Sequence, residues 1–290
     1  MKNVLVLANP NAGVEALFLL ARMQLLIRLK KESVFYQIYE TIEQVPRKVL
    51  KSPVDRIIVL GGDGTLHFVT QYLYNKKIDT PIAVIPTGSG NIFALTVGIP
   101  ITINKAIKTA LHGKPKRIPL GIVNNKHLFM LSVTTGVHTQ IMEKTPRWSK
   151  KFIGPVAYYL RLPIDLARIK QHEYQITLDN NQMIKGKASS VFVFNGMPKI
   201  PREPFTSMNF FSAKLYVLVV DAVGAKEITQ LFTSIFIQGK LPPKGAQFYE
   251  TKSLLLITKN SANRFDSEQS KLKRMKIKTI PGAMRYVFPK

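Results

Sequence analysis

Two short glycine-rich segments, each set between an apolar run and a helix-forming stretch, constrain this chain more than any other feature. They are Gly61-Gly62-Asp63-Gly64-Thr65 and Thr87-Gly88-Ser89-Gly90-Asn91. Apolar runs at 56–60 and 81–85 precede them; helical patterns at 66–74 and from 93 to 97 follow. A crossover helix between the two runs makes them parallel strands. Both loops then leave the same carboxyl edge, where open α/β sheets take ligands. Asn9-Pro10-Asn11-Ala12-Gly13 leaves a third strand, at 4–8, at that edge. Glycine lets a backbone come close to a ligand, and successive N–H groups at a helix start attract anions. Thr65 can cap the helix or bond a phosphate oxygen. Asp63 is out of place beside phosphate unless loop amides, or Mg²⁺ held through water, take its charge. One such loop alone reads as a tight turn; three converging on one edge point to phosphate binding. No G-x-x-x-x-G-K-[ST] segment is present, which excludes a P-loop enzyme.

The βαβ rhythm extends over the first third, with further strand and helix signals at 33–39, 15–29 and 43–50. After it, short strand-like runs dominate: 128–133, 174–178, 189–194, 215–220, 253–258 and 275–280, with helical stretches at 154–170 (kinked at Pro163) and 225–238. The expected architecture is an α/β domain, a parallel sheet with helices on both faces, over 1–120. A β-rich second domain follows over 121–280. A final strand near 281–290 is free to return to the first domain. The boundary falls at 118–122, where Ile118-Pro119-Leu120-Gly121 breaks the pattern.

The 290 residues are 46% hydrophobic and 20% charged, a globular balance. The absence of cysteine excludes disulfides, thiolate metal sites and a cysteine nucleophile. The first apolar run is too short for a secretory signal and no run suits a membrane span, so the cytoplasm is the default compartment. A formal charge of +25 favours anionic partners. No nucleic-acid motif accompanies it; nucleotides, acidic lipid head groups and a merely lysine-rich solvated surface stay open. The five histidines do not pair at metal-ligand spacing, and His67 stands out only by its place after the first loop. Lys271, Lys273, Arg274, Lys276 and Lys278 read either as a lysine-guarded edge strand or as a contact for acidic lipid. Oligomeric state is not readable from these features.

The two glycine segments together, with Pro86 before the second, resemble those of the diacylglycerol kinase catalytic-domain family, which includes sphingosine kinases and bacterial lipid kinases. Asn9-Pro10-Asn11-Ala12-Gly13 resembles the family's opening loop. Lys150-Lys151-Phe152-Ile153-Gly154 with Ala157-Tyr158-Tyr159 resembles a helix of its second domain. Arg264-Phe265-Asp266-Ser267-Glu268 resembles its late Asp-Gly-Glu motif. The resemblance implies an ATP-dependent, Mg²⁺-requiring lipid kinase at a membrane surface, with an α/β nucleotide-binding domain over 1–120, a β-sandwich lipid-substrate domain over 121–280, and ATP in the cleft. ATP-binding residues would be Asn9, Pro10, Asn11, Ala12, Gly13, Thr41, Gly61, Gly62, Asp63, Gly64, Thr65, Gly88, Ser89, Gly90 and Asn91. Asp266 would be general base on the lipid hydroxyl, with Glu268 beside it. Without the resemblance, Asp266 and Glu268 read as decorating a turn. The chain departs from the family at Phe68 and Ile92, where acids are usual. It departs also at Gly136-Val137-His138-Thr139, at Ser267, and at Ser212-Ala213 in place of the Asp-Gly of a structural Mg²⁺ site. Two alternatives stay open: a catalytically weak nucleotide- or lipid-binding relative, and a soluble-substrate kinase of NAD kinase type.

Overall fold

A computed structural model of the chain describes residues 3–10, 15–136, 171–196, 209–222, 227, 245–259, 263–266 and 268–290. The chain divides into two compact units, residues 1–118 with 282–290 and residues 119–281.

The first unit is built on β1 (Asn3–Ala8), β2 (Phe35–Tyr39), β3 (Arg56–Gly61), β4 (Ile82–Pro86) and the end of β16 (Arg274–Phe288). They pair in the order β2-β1-β3-β4-β16, every pair parallel. β1, β3 and β4 are nearly continuous apolar runs because both sheet faces are covered. One face, with Val4, Val6, Ile58, Leu60, Ala83 and Ile85, packs against α1 (Glu15–Lys31) and α5 (Ile103–His112). Phe18, Leu25 and Leu29 of α1 are buried there, each contributing about 2 kcal/mol. On the other face α3 (Asp63–Asn75) lies over β3, and its Thr70 hydroxyl bonds the Tyr286 hydroxyl of β16 at 2.5 Å.

Several boundaries differ from expectation for local reasons. The stretch at 43–50 splits into a 3₁₀ turn, Ile42–Gln44, and α2 (Arg47–Lys51), because Pro46 has no N–H and fits only at a helix start. α3 begins at Asp63, so most of the first glycine segment is the helix's opening turn. α4 (Ile92–Val97) follows the second segment. α5 was not anticipated, although Ile103, Ala106, Ile107, Ala110 and Leu111 recur at helical spacing between Thr102 and Gly113. β5 (Lys114–Val123) runs unbroken through 118–121, since the fixed φ of Pro115 and Pro119 suits extended backbone.

The second unit has two antiparallel sheets. One runs β16-β13-β8-β9, from the first half of β16 through β13 (Ser253–Thr258), β8 (His172–Leu178) and β9 (Met183–Ala188). The other runs β12 (Ala246–Thr251), β11 (Leu215–Val220), β10 (Ser190–Phe194), β7 (Ser132–Gly136), β14 (Asn263–Phe265) and β15 (Glu268–Ser270). Alternate residues of both sheets enter one core, among them Ile176, Leu256 and Ile277 from the first and Val133, Val193 and Val217 from the second. That is a β-sandwich. The run at 128–133 is two strands, β6 (His127–Phe129) and β7, interrupted at Met130-Leu131. The helical stretches at 154–170 and 225–238 lie outside the described residues, apart from Glu227, as do Lys150 to Tyr159, Val137 to Thr139, and Ser267.

Candidate nucleotide site

β1, β3 and β4 stop in register: Ala8 pairs with Leu60, Leu60 with Ile85, and Gly61 with Pro86. Their carboxyl ends therefore release Asn9, Gly62 and Thr87 side by side. Gly62 precedes the first turn of α3, whose leading amides have no partner inside the helix. Gly62 and Gly88 approach backbone to backbone. A Cβ built on Gly88 would lie 2.5 Å from Gly62 Cα, and one on Gly62 would lie 3.0 Å from Gly88 Cα. Only glycine at both positions allows this approach.

Side chains tie the three loops together. Asn9 Nδ2 donates to Thr65 Oγ1 at 3.1 Å, joining the end of β1 to α3. Asp63 Oδ2 and Oδ1 accept from the amides of Ile92 and Phe93, at 3.0 and 2.9 Å, so the first residue of α3 caps α4. These amides offset the charge of the carboxylate beside the two glycine segments. The second loop is closed by Asn91, which sits in the left-handed region at φ 50°. Its Oδ1 accepts from Gly88 N at 3.0 Å and its Nδ2 donates to Gly88 O at 2.8 Å. The Gly88 amide is thus engaged within the loop, and the exposed Ser89 forms the tip.

A cavity of about 180 Å³ opens beside these loops, lined in part by Asn9, Thr41, Gly64, Thr65 and Phe68. Ligand pockets commonly run roughly 300–1,000 Å³, so this one suits a single portion of a nucleotide. Thr41 stands before the 3₁₀ turn, where Gln44 Oε1 accepts from the Glu40 and Thr41 amides. Pro10 is exposed at the end of β1, and Gly90 lies against Asp63 and Ile92. Asn11, Ala12 and Gly13 lie outside the described residues. His67 is 2% exposed and belongs to the inner side of α3, whereas Phe68, 40% exposed, borders the cavity.

In the second unit, Phe265 pairs with Glu268, so residues 266 and 267 connect β14 to β15. Asp266 has φ 50°, a conformation aspartate tolerates better than most residues. Its Oδ2 accepts from Met130 N at 2.6 Å and its Oδ1 from Leu131 N and Ser132 N, both at 2.8 Å. A carboxylate offers about four acceptor positions; three are occupied by main chain. The amides that interrupt β6 and β7 are the ones this carboxylate satisfies. Glu268 is exposed.

Around Ser212-Ala213 the second unit carries a neutral network. Ser212 Oγ donates to Asn209 O at 2.7 Å and lies 3.1 Å from Tyr216 OH, and Asn209 N donates to Tyr216 OH at 2.9 Å. Among the described residues no group of three His, Asp or Glu side chains could hold a metal ion. A groove of about 930 Å³ on β8, β9 and β13 is lined by Lys185, Lys187, Lys259 and Lys273 together with Glu173, Tyr174 and Ile257. No helix among the described residues is long and apolar enough to cross a membrane.

Known proteins agree with this geometry. Residues 3–123 match the family described as diacylglycerol kinase catalytic domain. A diacylglycerol kinase of Staphylococcus epidermidis is 30% identical over 197 residues, 64% of this chain and 60% of that protein. One of Staphylococcus aureus is 30% identical over 198 residues, 66% of this chain and 62% of that protein. Among solved structures, a diacylglycerol kinase from Bacillus anthracis has a TM-score of 0.73 at 22% identity, covering 99% of this chain and 96% of that one. An NAD kinase from Archaeoglobus fulgidus, solved with ATP, has a TM-score of 0.54 at 13% identity, covering 100% and 94%. Residues 3–123 thus carry the likeness to the diacylglycerol kinase catalytic-domain family. It spans about 60% of the length of the curated relatives it matches.

Proposed function

We propose that the chain is an ATP-dependent lipid kinase that moves the γ-phosphoryl of ATP to the hydroxyl of diacylglycerol or a related lipid, at the cytoplasmic surface of a membrane. The observation that carries this reading is the backbone contact of Gly62 with Gly88 at the shared carboxyl edge of β1, β3 and β4. It brings the opening turn of α3 beside the second loop, where N–H groups and a helix start favour a polyphosphate. Phosphoryl transfer has a loose transition state, so positioning and charge neutralisation supply most of the acceleration. Mg²⁺ on the nucleotide would neutralise charge on the phosphates. Asn9 and Thr65 would orient the nucleotide through the contact that joins their loops. Asp266 would receive the hydroxyl proton, with Glu268 adding negative charge nearby.

One observation favours a second reading, a relative that binds nucleotide and lipid without transfer. The Asp266 carboxylate already holds three main-chain amides, the arrangement of a turn anchor. Incubation with γ-labelled ATP, Mg²⁺, NAD and diacylglycerol-containing vesicles tests both. Label in the lipid phase, lost in Gly88→Ala, supports transfer. Saturable ATP binding with no labelled lipid supports the second reading, and label in NAD replaces both with a soluble-substrate kinase.

A further inference from the structure

Alternate residues of the second sheet of the sandwich point away from its core, and the strand register lines up five of them. Arg264 lies opposite Thr134, Thr134 opposite Phe192, Phe192 opposite Leu218, and Leu218 opposite Phe248. The row crosses β14, β7, β10, β11 and β12 in that order. With strands about 4.8 Å apart it is about 19 Å long. One end is a cation and a hydroxyl, and the rest is apolar. Phe194 widens the apolar part, its ring stacked on that of Phe192 at 5.6 Å and 5°.

The polar end is unsatisfied. Arg264 Nε and Thr134 Oγ1 are both enclosed by protein, and neither has a hydrogen-bond partner among the described residues. A buried donor left unpaired is destabilising, and more so on a charged group. An arginine that only covered apolar surface would carry its polar atoms into water. Nε and the neighbouring Nη present two parallel N–H donors, the fork that matches a carboxylate or a phosphate. A hydroxyl beside that fork adds a third donor to the same anion.

We infer that Arg264 and Thr134 seat the acidic head group of a single aliphatic amphiphile, a carboxylate or a phosphate, whose chain lies along Phe192, Leu218 and Phe248. The three steps from Thr134 to Phe248 span about 14 Å, the length of an extended chain of about twelve carbons. Diacylglycerol is uncharged and would leave the guanidinium unmatched, so it is not the ligand this seat suits. A small hydrophilic anion would satisfy Arg264 but would bury no apolar surface on the rest of the row. A fatty acid and a lipid phosphate meet both ends. The inference goes beyond phosphoryl transfer and does not rest on it, since binding is read without ATP.

The test is calorimetric titration of the full chain with laurate, dodecyl phosphate and dodecanol, each kept below its micelle concentration, for wild type, Arg264→Met and Arg264→Lys. Wild type is expected to bind one anion per chain, at least roughly tenfold tighter than dodecanol. Shortening the chain should weaken binding roughly tenfold for each two carbons removed. Arg264→Met keeps an unbranched apolar side chain and should lower both anions to the level of dodecanol; Arg264→Lys should restore part of the difference. The tighter of laurate and dodecyl phosphate assigns the seat to a fatty acid or to a lipid phosphate. Equal affinity of wild type for dodecanol and the anions overturns the inference, and that comparison needs no variant. Anion binding undiminished in Arg264→Met, or several anions per chain, traces the attraction to the net charge of +25 and overturns it as well.

Discussion

Gly62 and Gly88 leave no room for a side chain between them, and that fixes what a methyl group would do. Gly88→Ala sets a Cβ 2.5 Å from Gly62 Cα, against backbone that cannot rotate away. The loops must part, at a cost of about 1–3 kcal/mol. Calorimetry should show a lower melting temperature and ATP affinity reduced at least tenfold. Unchanged affinity would detach the loops from nucleotide binding. Ala213 presents the reverse case. Its φ of 54° is the left-handed region, where an L side chain costs about 1–2 kcal/mol and glycine nothing. Ala213→Gly should therefore stabilise by about 0.5–1 kcal/mol once glycine's larger unfolded-state entropy is subtracted. Denaturant unfolding reads that gain directly; a loss would mean that the alanine methyl packs usefully. The same conformation at Asp266 is accompanied by three amide bonds, which explains why an aspartate holds that turn.

Among the elements, α3 and α4 are coupled by one side chain, since Asp63 belongs to the first helix and caps the second. Asp63→Ala should cost about 2–3 kcal/mol in the absence of any ligand, as two charge-assisted bonds to amides are lost. Were the residue needed only for nucleotide, the unliganded melt would not move. The strands of the sandwich hold a second such link. Asp179, just after β8, accepts from Lys252 N at 2.8 Å, and this bond holds its carboxyl below the ordinary range. A depressed folded pKa contributes stability above the unfolded value and loses it as pH falls through the folded one. Asp179→Asn should then be less stable than wild type near pH 7, the gap closing below about pH 4. Unfolding curves at both ends of that range check the sign. The sequence showed the parallel strands plainly, because burial on both faces leaves unbroken runs such as Ile57 to Leu60. It hid β9, whose outward Lys185 and Lys187 and central Gly186 dilute the apolar signal. That Asp63 needs amide partners was legible, but that these are Ile92 N and Phe93 N at the start of α4 was hidden, since it depends on two loops meeting in space.

At the scale of the whole molecule, the α/β class and a β-rich second domain were legible from periodicity, the sandwich came from the resemblance, and the convergence of three loops followed from parallel strands sharing an edge. The seating of Asp266 on the amides of 130–132 was not, for it spans well over a hundred residues of chain and leaves no local pattern. Charge is legible without any fold, and its consequence is global. Even with every carboxylate paired, twenty-five cations would remain on a chain of 290 residues. Self-repulsion of that size acts against the compact state, because unfolding moves the charges apart. Ionic strength controls its range: the Debye length falls from about 30 Å at 0.01 M to about 8 Å at 0.15 M. The longer distance lets cations throughout a unit repel one another, and the shorter confines the effect to neighbours. Exposed pairs such as Lys214 with Glu250 at 2.8 Å lose attraction over the same range, but such pairs are worth about 0–1 kcal/mol each. Repulsion among the surplus cations therefore decides the sign. The melting temperature, followed by circular dichroism in dilute buffer from about 0.01 to 0.15 M NaCl, should rise by several degrees. Sodium sulfate at equal ionic strength should raise it further, since sulfate also strengthens apolar burial. A melting temperature that falls with NaCl would mean that local ion pairs outweigh the net charge.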